Sequence, residues 1–377
     1  MPKLSVRRTA RHWSRTYREA RMVALALKSP NHPILAHVVV TRRCNLACTY
    51  CNEFDNFSNP VPTAELLRRI DLLAALGTTV ITLTGGEPLL HPDLEQVIGR
   101  IRQRGIVAVL VTNGYLLTIE RIERLNRAGL DRMQISVDNV NPDDASKKSL
   151  KVLDKKLQWL AQFADFPTSI HSVVGAHIDH PEDALTVARR ATELGLISTV
   201  GVVHDDAGRL EPLNEKQQRV VEDIEGLSKS RFSFARHNPW RANLVRGLPN
   251  EWHCTAGGRH LYICEDGLVH LCLAQRGYPG TPLSQYTRED VIRESKTVKP
   301  CAPYCTIFCV QRVASLDKLR TDPKQALVQL FPARGGQGQP AALPAPIRVL
   351  KALFLPAREA SAARFFRKAA LRFLKVD

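Results

Sequence analysis

Residues 36–51 read AHVVVTRRCNLACTYC, a β-branched run that passes directly into three cysteines, Cys44, Cys48 and Cys51, within eight residues. The run reads as a short buried strand. Three thiols this close leave one over from any pairing among themselves, so they read as ligands rather than disulfide halves. The chain has nine cysteines in 377 residues, and the other six (Cys254, Cys264, Cys272, Cys301, Cys305, Cys309) all lie far downstream. Scattered structural thiols would not leave that gap. Residues 1–28 are studded with arginine and hold no clean apolar h-region, so no secretory signal is expected. The expected setting is reducing and cytoplasmic, where clustered cysteines usually mean metal.

Outward from this stretch, the same unit repeats to about residue 203: a β-branched run, a turn, then a helix-period segment. Further strands are expected at TVITLT from 79, IVAVLVT from 106, RMQISVD from 132, TSIHSVV from 168 and ISTVGVV from 197. Helical patterns lie between them. TAELLRRIDLLAAL opens at Thr63, read as a cap, and PEDALTVARRATELG runs from Pro181 to Gly195. Six βα units imply a parallel sheet with right-handed crossovers, most simply an α/β fold in the form of a partial (β/α)6 TIM-like barrel, an open sheet being the alternative. Function belongs at the carboxyl ends of the strands.

The expected organisation is a basic N-terminal helical segment (1–33), the barrel core (34–210), a helical linker (211–249), a small Cys-rich α+β C-terminal module (250–315), and a flexible linker with a basic amphipathic tail (332–377). No window approaches the roughly 18 consecutive apolar residues of a spanning helix. The net charge of +16 is concentrated at the ends: residues 1–28 and 333–377 each carry +7, which leaves the 304 residues between them near neutral.

The C-x3-C-x2-C array follows the first strand. A structural zinc ion takes four ligands, and no fourth Cys or His lies near in sequence, although a distant residue would serve. Three thiolates also suit a cubane 4Fe-4S cluster with one iron left open. The array, with Tyr50 before its last cysteine, resembles that of the radical S-adenosylmethionine (SAM) superfamily. The resemblance implies that the open iron chelates SAM, whose reductive cleavage yields a 5'-deoxyadenosyl radical. It also implies a reductant such as flavodoxin or ferredoxin.

The second strand ends in TGGEPLLHP, similar to the family's second motif, and the resemblance assigns SAM's ammonium to Gly85, Gly86, Glu87 and Pro88. At later strand ends it assigns SAM contacts to Asn113, to Ser136 and Asp138, and to the backbone near Val203. Ordinary turn and capping chemistry competes at each of these, and His91, His171 and His204 are given no role.

Cys254, Gly267 and Cys272 fit the C-x(9–15)-G-x4-C signature of the SPASM/twitch extension, and CAPYCTIFC adds Cys301, Cys305 and Cys309. The cysteines fall short of the full two-cluster SPASM pattern, so one auxiliary 4Fe-4S cluster is expected, with zinc as the rival. Which four thiols bind it stays open, and Cys264 lies outside the signature. In the tail, Phe365, Phe366, Phe373 and Leu374 share a helical stripe beside arginines and lysines, the pattern of an interfacial membrane helix, with nucleic acid as a less favoured partner. The expected function is hydrogen abstraction from a small-molecule, sugar or lipid-linked substrate, by oxidation or carbon–carbon bond formation. A peptide-modifying SPASM maturase, an RNA-modifying enzyme and a non-catalytic iron-sulfur or zinc protein are the alternatives.

Overall fold

A computed structural model describes residues 2–49, 51, 53–144, 146–176, 178–203, 210–227, 240–322, 326, 369 and 372. Six strands, β1 (Leu35–Thr41), β2 (Val80–Gly85), β3 (Val107–Thr112), β4 (Arg132–Ser136), β5 (Thr168–Gly175) and β6 (Ile197–Val203), pair in sequence order and all in parallel. Helices α2 (Thr63–Ala75), α3 (Leu94–Gln103), α4 (Ile119–Ala128), α5 (Leu150–Phe163) and α6 (Glu182–Glu193) make the crossovers. Alternation along the strands decides which face is covered. Ala36, Val38 and Val40 of β1, Ile81 and Leu83 of β2, and Met133 and Ile135 of β4 all enter one core with the helix stripes. The intervening residues, polar in many positions, face the other side of the sheet, the expected lumen of a partial barrel.

One expected cap is corrected. Pro62, not Thr63, occupies the N-cap of α2, and no side chain caps it. The Thr63 hydroxyl instead donates to the Asp93 carboxylate at 2.6 Å, tying α2 to the start of α3.

The sheet does not end with the barrel. After α7 (Glu215–Leu227) and α8 (Arg241–Val245), strand β7 (His260–Ile263) pairs in parallel with β1, Leu35 opposite His260 through Val38 opposite Ile263. An antiparallel meander, β8 (Leu268–His270) and β9 (Pro279–Pro282), then extends it to nine strands. Helices α9 (Arg288–Lys296) and α10 (Phe308–Thr321) close the Cys-rich module. No periodicity in the sequence announces that its first strand continues the barrel's sheet.

The basic N-terminal segment is one helix, α1 (Pro2–Lys28), at the opposite end of the strands from the cysteine loop. Its Arg18 meets Asp131 just before β4, Arg8 and Arg11 meet Asp165 just before β5, and Glu19 meets Arg132. Several of its charges are therefore already spent on docking. Beyond α1, the fully buried Arg259 guanidinium donates to the Ser29, His32 and Ala26 carbonyls and pairs with Asp317 of α10. That side chain locks α1, module and α10 together.

Candidate functional site

The loop after β1 carries Cys44, Cys48 and Cys51, and its backbone is pinned at both ends. Cys44 N donates to Asp55 O at 3.0 Å, Asp55 N donates to Arg42 O at 2.8 Å, and Cys51 N donates to Cys48 O at 3.1 Å. Cys48 is buried, and Cys44 and Cys51 are half-buried. Burial pushes the Cys44 and Cys51 thiols upward, and their thiol neighbours push the same way. Such thiols ionise only against a compensating cation. Tyr50 lies outside the described residues.

Gly85 and Gly86 are required by a close approach within the chain. A Cβ on Gly85, whose φ is +123°, would sit 2.1 Å from Thr41 O, and one on Gly86 would sit 2.3 Å from Arg42 O. In that gap Gly86 N donates to Thr41 O and Glu87 N to Arg43 O, at 2.8 and 2.9 Å. The two glycines thus press the end of β2 against the root of the cysteine loop. Glu87 is fully buried, and its carboxylate accepts from the Thr112 hydroxyl (2.7 Å), Asn113 N (2.8 Å) and Leu89 N (2.9 Å). Burial raises its pKa and these three donors oppose the rise. A carboxylate offers about four acceptor sites, so about one remains. Pro88 is buried and opens a short 3-10 turn.

Asn113 carries the link to β3. Its side-chain amide nitrogen donates to Asn45 at 2.8 Å and lies 3.7 Å from Cys44 Sγ, while its side-chain oxygen accepts from Tyr115 N at 3.0 Å. After β4, Asp138 accepts from the Ser146 hydroxyl at 2.7 Å and pairs with Lys148 at 2.9 Å. Ser146 Oγ in turn lies 3.7 Å from Cys48 Sγ, and the Lys148 charge lowers the Cys51 pKa against the burial that raises it. The structure therefore gathers Cys44, Cys48, Cys51, Glu87, Asn113 and Asp138 at one strand-end cluster. Ser136 and Val203 are the last residues of β4 and β6. Ser146 and Lys148 were missed, because the irregular loop that carries them has no periodicity to read.

The downstream thiols sort by electrostatic contact. Cys305 feels Cys254, Cys272 and Cys301, Cys272 feels Cys254 and Cys301, and Cys254 feels Cys301, so all four lie together. Burial dominates the upward shifts of Cys254, Cys272 and Cys305 and takes Cys272 to about 11. Cys309 packs against the apolar cluster that holds Cys254 and Cys272, and its Sγ lies 3.7 Å from His260 Nε2. Cys264, pushed up to about 12 chiefly by burial, stands just past the end of β7. Beside it is a further group that sequence reading missed: Glu53, two residues past Cys51, accepts from both Tyr262 and Arg276 and ties the first cysteine loop to the module. Of the histidines, His171 bonds Thr199 at 3.0 Å on the uncovered face of β5, His91 meets Val61 O at 2.9 Å, and His204 lies outside the described residues.

Residues 38–205 match the Radical SAM superfamily. The AdoMet-dependent heme synthase of Methanosarcina barkeri is 32% identical over 175 residues, covering 45% of this chain and 50% of that protein. The PqqA peptide cyclase of Ruegeria pomeroyi is 27% identical over 263 residues, 66% of this chain and 69% of its own length. Streptococcus suis SuiB bound to its precursor peptide SuiA shares the fold, with a TM-score of 0.55 at 14% identity over 69% of this chain and 65% of that one. The chain thus spans half the length of the first of these relatives.

Proposed function

We propose, from the premise that this chain is a radical SAM superfamily enzyme, that Cys44, Cys48 and Cys51 hold its 4Fe-4S cluster and that SAM binds between Glu87, Asn113 and Asp138. The observation that carries this reading is the clamp of the three-cysteine loop against Gly85, Gly86 and Asn113. The thiols fit a cluster better than a lone ion. Cys48 is close enough to raise the pKa of both Cys44 and Cys51, yet among the described residues the trio gathered within 4.8 Å is a different one, His37, His260 and Cys309. When bound, cluster and SAM supply the electron and the 5'-deoxyadenosyl radical. The protein's part is to position and to exclude water. Glu87 has an acceptor site left for a cationic group, and Lys148 sets a positive charge beside Cys51.

Cys254, Cys272, Cys301 and Cys305 are proposed to hold one auxiliary 4Fe-4S cluster, a closed four-thiol set that leaves no open iron. A flavodoxin or ferredoxin is the expected reductant. The substrate proposed from the sequence is a small or lipid-linked molecule. A peptide substrate is the second reading, favoured because the likeness to a peptide cyclase covers 66% of the chain. RNA is disfavoured, since arginines of α1 are paired with Asp131 and Asp165.

Anaerobic incubation with dithionite and SAM tests the reading: reconstituted protein releases 5'-deoxyadenosine, and a protein that binds SAM without releasing it overturns the proposal. Among the described residues no helix is long and apolar enough to cross a membrane. The proposed membrane-docking tail, 345–377, lies outside them apart from Ala369 and Arg372. Co-sedimentation of full-length protein with anionic vesicles, lost on truncation after Leu330 and weakened by salt, is the expected result. Equal binding by both forms removes the tail from that role.

A further inference from the structure

A further donor set, made of residues outside both thiol centres, lies on the face of the sheet opposite the crossover helices, where β1 meets β7 and α10 reaches them. Ala36 and Val38 of β1 and Leu261 and Ile263 of β7 point into the helix-covered core, so His37 and His260 share the opposite face. Cys309, in the first turn of α10, reaches the same place. His37 Nδ1 lies 3.0 Å from His260 Nε2, Cys309 Sγ lies 3.7 Å from that nitrogen, and all three donor atoms lie within 4.8 Å of one another.

Two features favour a cation over a plain hydrogen-bonded group. The first is orientation. His260 is buried, and its Nδ1 faces Leu271 O at 3.1 Å, the position of a donated N–H, which leaves Nε2 as a lone pair. That single lone pair then faces both His37 and Cys309, although it can serve only one hydrogen-bond donor well. A backbone carbonyl holding the far N–H of an imidazole is also the usual support of a metal-binding histidine. The second feature is spacing. Zinc bonds of about 2.0–2.1 Å to nitrogen and about 2.3 Å to sulfur, at tetrahedral angles, separate two nitrogens by about 3.3 Å and nitrogen from sulfur by about 3.6 Å. The observed 3.0 and 3.7 Å lie close to those edges.

We propose that His37, His260 and Cys309 bind one divalent transition-metal ion of zinc type, with the fourth position left to water or a bound molecule. The ligands come from β1, β7 and α10, so the ion would cross-link the barrel to the Cys-rich module at their shared seam. This site uses none of the residues proposed for SAM or for the four-thiol set, and it stands or falls separately from the catalytic reading.

The test uses full-length protein reconstituted with iron and sulfide, equilibrated with a slight excess of zinc chloride, desalted and counted for both metals. About one zinc per chain is expected in addition to the cluster iron, falling at least about tenfold in His260→Gln and in Cys309→Ser with iron unchanged. Less than about 0.1 zinc per chain in the wild type overturns the proposal, as does zinc retained in both variants. So does a loss of about four irons in Cys309→Ser, which would place Cys309 in the cluster set. Zinc K-edge absorption on the unmutated protein keeps the proposal exposed where a variant does not fold. A first shell of two nitrogens and one sulfur with a light fourth ligand supports it, and an all-sulfur shell overturns it.

Discussion

The two thiol centres are built in opposite ways. Cys44, Cys48 and Cys51 sit on one loop, eight residues from end to end, and the rest of the fold is brought to them by Gly85, Gly86 and Asn113. Cys254, Cys272 and the Cys301–Cys305 pair come from three separate segments, and only the module's folding brings them together. A local array keeps its donors close even when its surroundings loosen. A distributed set is only as stable as the packing that holds its segments, so the second centre should be the one whose loss tracks loss of structure.

The largest expected effect separates the centres outright. Replacing Cys44, Cys48 and Cys51 together by Ala should abolish 5'-deoxyadenosine release while about four irons remain per chain, read by chromatography and iron assay. Residual reductive cleavage would break the assignment. The reciprocal change sharpens it: Cys254→Ala, Cys272→Ala or Cys305→Ala should each lower iron from about eight to about four per chain. Cys264→Ala, outside the set, should leave iron unchanged, and a loss there would redraw the second centre.

The clamp on the first loop comes next. Gly86→Ala drives a Cβ into backbone that cannot move aside, and should cost on the order of 3 kcal/mol or more in denaturant unfolding. Gly99→Ala, which meets nothing within 4 Å in α3, is the control and should be neutral or slightly stabilising. Equal behaviour of the two variants would mean that the loop root is not clamped.

A smaller effect concerns pH and the seam between α1 and the module. His32 is buried beside Arg259, and burial first, then the Arg259 charge, hold its pKa at about 4. The native imidazole stays neutral while the unfolded one takes up a proton below about 6.5. The unfolded state therefore binds more protons between these values. The stabilisation is complete above about pH 6.5, and about 3 kcal/mol of it is lost as pH falls to about 4. Urea midpoints at pH 7 and 4.5 should fall further apart in the wild type than in His32→Gln. Identical pH dependence in the two would remove His32 from the seam.

Much of this molecule was legible without coordinates because its signals are short-range. The six β-branched runs became the six parallel strands, since alternating burial and turn chemistry act over a few residues. The three-cysteine array and the glycine pair stood out for the same reason. Glu87 was legible as a candidate for SAM's ammonium, but not the three donors from its own chain that occupy most of its carboxylate and leave about one acceptor site. Thr63 looked like a cap, but its hydroxyl went to Asp93, thirty residues away. Neither partner carries a local mark.

By itself, then, the sequence determined the strand order's raw material, the first thiol loop and the pool of candidates for the second. Tertiary structure alone decided that β7 joins β1, that four of six downstream thiols converge, and that Cys309 turns instead toward His260 and His37. The physical reason is distance along the chain. A spacing of three or four residues fixes which side chains can meet, whereas contacts across more than two hundred residues depend on how the whole sheet and its covering helices pack.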